Sequence, residues 1–216
     1  MKTKLGQASP DVRARLLDAA VRLFAEQGVA GTTVAEIAAA AGVTSAMVHY
    51  YFKTKDQLLD AVVAEKLVGE FIAFVADVIA RDASDPLALV ERLVWRIVEA
   101  SDRLPWLPPL WVPEVISEGG ALREKLIQRV DLGQPERFKA GLAAAQRAGR
   151  VNPGIHPQLT FMSIMALTML PLSMAKDWDR IPLIGRVSKP ELGRHVVALL
   201  QHGLAAAPAK TQGRKA

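Results

Sequence analysis

The chain has no cysteine among its 216 residues. That excludes disulfides, zinc–thiolate sites and cysteine nucleophiles, and it suits a reducing cytoplasm. Also missing are the GxSxG, P-loop, GxGxxG and HExxH patterns, so an all-α enzyme has no catalytic motif behind it. No stretch alternates apolar and polar residues as a half-buried strand does. The N-terminal run MKTKLGQASPDVRARLL is basic but lacks an apolar core, so no secretory signal is expected. Formal charge is absent from Val151 to Ala175. A spanning helix needs about 20 mostly apolar residues. Here Pro153, Gly154, His156, Pro157 and Gln158 spoil the first third and Pro171 the end, so a helix buried on several sides is expected, not a membrane span. Tyrosine is scarce as well, and both copies fall in one run, GVTSAMVHYYFKTK, at 42–55.

What is present is helical. Half of the residues are apolar and 23% are charged, the composition of a globular chain. A formal charge of +5 is compatible with a nucleic-acid partner. Part of the excess, Lys210, Arg214 and Lys215, sits in a tail over 207–216 expected to be flexible. Through Lys55, seven Lys and Arg face four Asp and Glu, a mildly basic head. Ser9-Pro10 reads as the start of a helix with Leu16, Leu17, Ala20, Leu23 and Phe24 on one stripe and Gly28 as its stop. Thr33-Val34-Ala35-Glu36 is a capping box opening a second helix, which ends near Ala41-Gly42. Thr44 can cap a third of barely two turns, and a further box at Thr54-Lys55-Asp56-Gln57 opens a helix to about Ala80.

Asp85-Pro86 starts another helix, to about Arg103. The run 105–113, with four prolines among apolar residues, is expected to pack over the core without regular helix. Further helices are expected over about 120–131, 135–148, 158–176 and, from the box Ser188-Lys189-Pro190-Glu191, to about 205. The fold class is therefore all-α: a three-helix head over 1–53, then a larger helical body over 54–206.

Two short helices joined by a tight glycine-containing turn have the outline of a helix-turn-helix, whose second helix can enter the major groove. An ordinary helical hairpin inside a core has the same outline. The chemistry of the third helix favours the former. Val48 and Phe52 share an inward face, with Val43 closing the turn, so Thr44, Ser45, Ala46, Met47, His49 and Tyr50 spread over the outer faces. Small residues permit close approach; hydroxyls bond bases or phosphates, and methyl-bearing side chains meet the thymine methyl. Lys55 lies in the first turn of its helix, where the macrodipole disfavours a cation by roughly 0.3–1 kcal/mol. A phosphate there would reverse the balance, so Lys55 reads as a phosphate clamp.

The pattern Ala19-Ala20, Leu23-Phe24, Gly28, Thr32-Thr33, Ile37-Ala38, Ala41-Gly42-Val43-Thr44, His49-Tyr50-Tyr51-Phe52, Lys55 and Leu58 resembles the DNA-binding domain of the TetR/AcrR family of bacterial transcriptional regulators. The resemblance covers about 11–63. It implies a homodimeric regulator, usually a repressor, released from double-stranded operator DNA by a small ligand bound in the body. Thr33, Thr44, Tyr50 and Lys55 match backbone-contacting positions of that family. Val34, Ser45, Ala46, Met47 and His49 match positions that face bases, and Tyr51 matches either a phosphate contact or a packing residue. The chain departs from the pattern at His49, where tyrosine is commoner, and at positions 34 and 45, which lack long polar side chains. Specificity is therefore expected to rest largely on van der Waals contact and DNA shape.

The charge-free helix carries Leu159, Phe161, Met162, Ile164, Met165, Leu167, Met169 and Leu170 on nearly every face, where one stripe would serve a single core. The last helix offers Leu192, Val196, Leu199 and Leu200. The resemblance implies that helices 158–176 and 188–205 pair with their copies as a four-helix bundle. Trp95, Trp106, Trp111, Met162, Met165 and Met169, with Glu99 beside Arg96, are candidates to line an effector cavity, although each can equally be core or surface. Glu191, His195 and His202 share a helix face without the tight spacing of a metal site, so no metal or cofactor is expected. The alternative readings are a soluble all-α enzyme and an architectural DNA-binding protein without a ligand.

Overall fold

The computed structural model describes residues 10–81, 85–131, 133–182 and 185–205. The expected cap Ser9 and the tail 207–216 lie outside them. Among the described residues the chain is helical, and its one extended pairing is an isolated antiparallel bridge between Val151 and Ala205. No helix among them is long and apolar enough to cross a membrane.

Helix α1 (Pro10–Gly31) buries Leu16, Leu17, Ala20 and Phe24 of the stripe read from the sequence and leaves its Leu23 half-buried. Gly28 breaks it at φ 76°, ψ 162°, a conformation that a Cβ makes strained. Helix α2 (Val34–Ala40) opens on a closed capping box. Thr33 Oγ1 accepts from the Glu36 N–H at 3.2 Å, and the Thr33 N–H donates to the Glu36 carboxylate at 2.7 Å. The turn to α3 (Ser45–Phe52) uses Gly42 at φ 68° and a bond from the Val43 N–H to the Ala38 carbonyl, 2.9 Å. Thr44 occupies the N-cap of α3 but makes no side-chain capping bond, contrary to expectation.

Thr54 does cap its helix, accepting from the Gln57 N–H at 3.1 Å. From there α4 (Lys55–Ala61), a wider-wound stretch Val62–Ile72 and α5 (Ala73–Arg81) form one unbroken helix from head to body. The middle stretch has i→i+5 bonding, as in the Ala73 N–H to Val68 carbonyl bond, which periodicity alone does not reveal. Helix α6 (Pro86–Arg103) runs through the middle of the body, capped by Asp85.

The proline-rich run corrects the expectation: it contains α7 (Leu107–Trp111), continued as a wide turn over Val112–Ile116. Pro108 and Pro109 stand in the first turn, where no backbone donor is needed, and Leu107 and Leu110 are fully buried. Helix α8 (Arg123–Ile127) is shorter than its expected span. Residues 120–122 are instead drawn back onto the preceding turn, where the Leu122 N–H donates to the Glu114 carbonyl at 3.0 Å. Helices α9 (Gly133–Arg147), α10 (Pro157–Ser173) and α11 (Lys189–Leu204) follow near their expected bounds, with a 3-10 turn, Ala175–Arg180, after α10.

Helix α10 buries Ile164, Met165, Met169 and Leu172 and leaves Leu159, Met162, Leu167 and Leu170 exposed. On α11, Leu192 and Val196 are buried within the subunit, which packs this helix on α6; Leu199 is left exposed and Leu200 half-buried. Leu192 and Val196 are therefore core residues, not a free surface.

The α11 capping box has a pH consequence. Hydrogen bonds from the Ser188 hydroxyl (2.6 Å) and N–H (2.8 Å) hold the Glu191 carboxyl below the ordinary glutamate range. A depressed folded value stabilises the native state above the unfolded pKa, and that contribution is lost as pH falls through the folded value. Glu191→Gln should reduce stability at neutral pH and narrow its difference from the wild type on acidification; urea denaturation at pH 7 and below pH 4 measures both.

Candidate nucleic-acid interface and cavity

Helix α3 is pinned from inside and open outside. Val48 and Phe52 are buried, with Val43 and Tyr51 packed at the margin, and the Arg13 guanidinium lies 5.2 Å from the Phe52 ring centroid. Thr44, Ser45, Ala46, His49 and Tyr50 are exposed and Met47 is half-buried, so one surface gathers these sequence-derived candidates. Thr33 is exposed beside half-buried Val34 on α2, but its hydroxyl is engaged in the capping box, where it donates to Glu36 at 2.7 Å. The Thr33 N–H bond, followed by its hydroxyl bond, keeps the Glu36 carboxyl below the ordinary range.

At the end of α3, Lys53 sits at φ 53°, ψ −54°, which is unfavourable for a residue with a Cβ. Its ammonium lies 5.5 Å from the Tyr50 ring centroid, and Tyr50, 59% exposed, meets Tyr51 edge-on at 5.3 Å. His49 Nδ1 donates to the Lys53 carbonyl at 3.1 Å, leaving Nε2 for another partner. Lys53 was not among the sequence candidates, because helical periodicity carries no information about a terminal φ.

Lys55 differs from the sequence reading. Its ammonium donates to the Val29 and Thr32 carbonyls, both at 2.6 Å. The cation that looked awkward at one helix N-terminus is thus compensated by carbonyls at the end of α1. One ammonium proton remains beyond these two bonds.

The body holds a cavity of about 190 Å³, lined chiefly by Phe71, Val75, Trp111, Leu126, Phe161 and Met165, with Asp131 and Gln134 also at its wall. Trp111 packs edge-on against Phe71 at 5.3 Å and is only 8% exposed. Its Nε1 and the Gln134 Oε1 are buried without a hydrogen-bond partner among the described residues. The seven expected cavity residues do not come together. Trp111 and Met165 line the cavity, whereas Trp95 and Glu99 border a separate open groove with Arg96. Arg96 pairs there with Asp77 at 3.2 Å and Glu99 at 3.3 Å. Met169 is core, Met162 is 66% exposed, and Trp106 is half-buried at the N-cap of α7. Tryptophan and methionine mark apolar packing of every kind, so composition could not sort them; Gln134 carried no sequence signal.

Residues 16–62 match the model of the bacterial regulatory proteins, tetR family. Over 152 residues the chain is 37% identical to the HTH-type transcriptional repressor KstR2 of Rhodococcus jostii (strain RHA1), covering 69% of this chain and 72% of that one. It is 33% identical over 103 residues to the HTH-type transcriptional regulator AcrR of Shigella flexneri, covering 47% of this chain and 46% of that one. This second match therefore spans under half of its relative's length. The fold is shared with the ketosteroid transcriptional regulator KstR2 of Mycobacterium tuberculosis, at TM-score 0.68 and 20% identity over 94% of this chain and 98% of that one. It is also shared with FadR from Bacillus subtilis in complex with stearoyl-CoA, at TM-score 0.67 and 22% identity over 88% and 98%. With a recognition-type helix presented on a pinned three-helix head, and with these matches, the chain belongs to the TetR family of bacterial regulatory proteins.

Proposed function

We propose that the protein is a homodimeric, DNA-binding transcriptional repressor of the bacterial cytoplasm, released from its operator by a compact apolar effector. The observation that carries this reading is the outer surface of α3: Thr44, Ser45, Ala46, Met47, His49 and Tyr50 exposed or half-exposed on a helix fixed by Val48 and Phe52. Ser45, Ala46, Met47 and His49, with Val34 of α2, meet the bases. Thr33, Thr44, Tyr50, Lys53 and the remaining proton of Lys55 meet phosphates, and Tyr51 buttresses Tyr50. The exposed Leu159, Met162, Leu170 and Leu199 supply an apolar surface for a second copy, and two-fold pairing sets two heads on successive turns of a duplex.

The cavity supports the effector's class. Its volume, about 190 Å³, exceeds the roughly 150 Å³ that accommodates benzene but falls below the usual 300–1,000 Å³ of ligand pockets, so the buried part of the effector is compact. The indole N–H of Trp111 asks for an acceptor and the Gln134 amide oxygen for a donor, so the effector carries a polar group against an apolar body. The names of two fold neighbours, a ketosteroid regulator and a regulator in complex with stearoyl-CoA, also concern molecules with a large apolar part.

Lys53→Gly relieves the unfavourable backbone at this position while deleting a cation. Stability should be kept or raised while duplex affinity falls, with the slope of log K against log salt shallower by about 0.9 for the lost phosphate contact. An unchanged slope in a salt titration removes Lys53 from the interface. The wild type should be a dimer by light scattering at micromolar concentration and the Leu170→Glu/Leu199→Glu variant a monomer; a monomeric wild type contradicts the paired-head reading. Acetophenone should bind more tightly than the similarly shaped isopropylbenzene, and Trp111→Phe should remove roughly fivefold of that advantage, as expected for one lost hydrogen bond. Calorimetry giving the same ratio in both proteins excludes the indole as a polar anchor.

A further inference from the structure

We infer that Glu114 is a positioning residue for DNA binding, whose buried carboxylate latches the end of α1 to the turn that follows the cavity-lining Trp111. This rests on the DNA-binding reading above. Glu114 is 8% exposed, in the wide turn Val112–Ile116 that continues α7. Its Oε1 accepts from the Val29 N–H at 2.8 Å and its Oε2 from the Ala121 N–H at 3.1 Å. One side chain of the body thus joins a loop of the body to the backbone of the head.

Both ends of that bridge matter. The Gly28 φ of 76° interrupts the regular course of α1 immediately before Val29, whose N–H is received by the carboxylate. The Val29 carbonyl accepts from Lys55, which opens the long helix 55–81, and Lys55 also holds the carbonyl of Thr32 beside the α2 cap. Val29 is therefore gripped on its N–H by the body and on its carbonyl by α4. At the other end, Trp111 lies three residues before Glu114 on the same helical run and lines the cavity. An effector that displaces Trp111 moves the segment bearing the latch. A carboxylate suits this place because each oxygen can receive one of two N–H donors. A glutamine would set its own NH2 against one of them.

Wild type, Glu114→Gln and Glu114→Asp are compared as full-length chains by amide hydrogen exchange and by binding to two duplexes. One duplex is selected from random DNA with the wild type and the other has arbitrary sequence. The latch predicts at least tenfold faster exchange at Val29, Ala121 or both, with Ile37 in α2 and Val94 in α6 still protected. It also predicts at least tenfold weaker binding to the selected duplex, under twofold change on the arbitrary one, and an unchanged salt slope. Glu114→Asp keeps the charge but shortens the reach, so the same pattern is expected where Glu114→Gln folds poorly. Unchanged Val29 and Ala121 exchange, or an equal loss on both duplexes, overturns the latch as a positioning device. If the wild type selects no duplex, the DNA-binding reading falls and this role with it. If it selects one and the two affinities keep their ratio in the variants, only the role falls.

Discussion

The backbone of Val29 is held from both sides, by a buried carboxylate on its N–H and a lysine ammonium on its carbonyl. Both bonds are charge-assisted, and such bonds are about twice as strong as neutral ones. They tie three parts of the chain together: the end of α1, the start of the long helix and the turn after α7. The head is also joined to the body by the continuous helix 55–81, by packing of α1 against α7 and by the Asp18–Lys66 ion pair at 2.7 Å. A surface ion cluster ties the start of that long helix to the region of α8. In that cluster Lys125 meets Asp56 at 2.8 Å and Asp60 at 3.2 Å, and Arg129 meets Asp60 at 2.9 Å. The hydrogen bond to Asp56 is the largest influence raising the Lys125 pKa. Its charges are partly solvated and screened by salt, whereas Glu114 is buried, so the two links respond differently to ionic strength.

The proposed interface is built on restraint. Along the exposed surface of α3 no arginine, asparagine or glutamine is present to read a base edge with two hydrogen bonds. On the proposed DNA-binding reading, small side chains let the helix approach closely, and discrimination then depends on methyl contacts, on His49 and on duplex shape. Unfavourable backbone geometry at Lys53 sits at the same edge, where residues held in sparsely populated conformations tend to cluster at functional sites.

Much of this was legible in the sequence, for identifiable reasons. Capping boxes at Thr33 and Ser188 are local codes, and both closed as read. The inward pair Val48 and Phe52 followed from helical spacing alone. What was hidden depended on tertiary partners. The helix in the proline-rich run forms because its leucines are buried, which no local rule for proline expresses. Lys55 looked like a cation in need of a phosphate because the carbonyls that receive it lie 23 and 26 residues earlier in the chain. Glu114 lies 85 residues from Val29, so nothing in its own neighbourhood marked it as more than a surface acid.

On the proposed function, the outer surface of α3 reads duplex DNA from two symmetrically placed heads. Selection from random duplexes by the wild-type chain, beside an Ala46→Glu variant that alters only an exposed α3 position, tests it most directly. Enrichment of a two-fold symmetric sequence with half-sites about one helical turn apart is expected from the wild type, and its disappearance is expected in the variant. No enrichment by the wild type, or the same enrichment with Ala46→Glu, would contradict it.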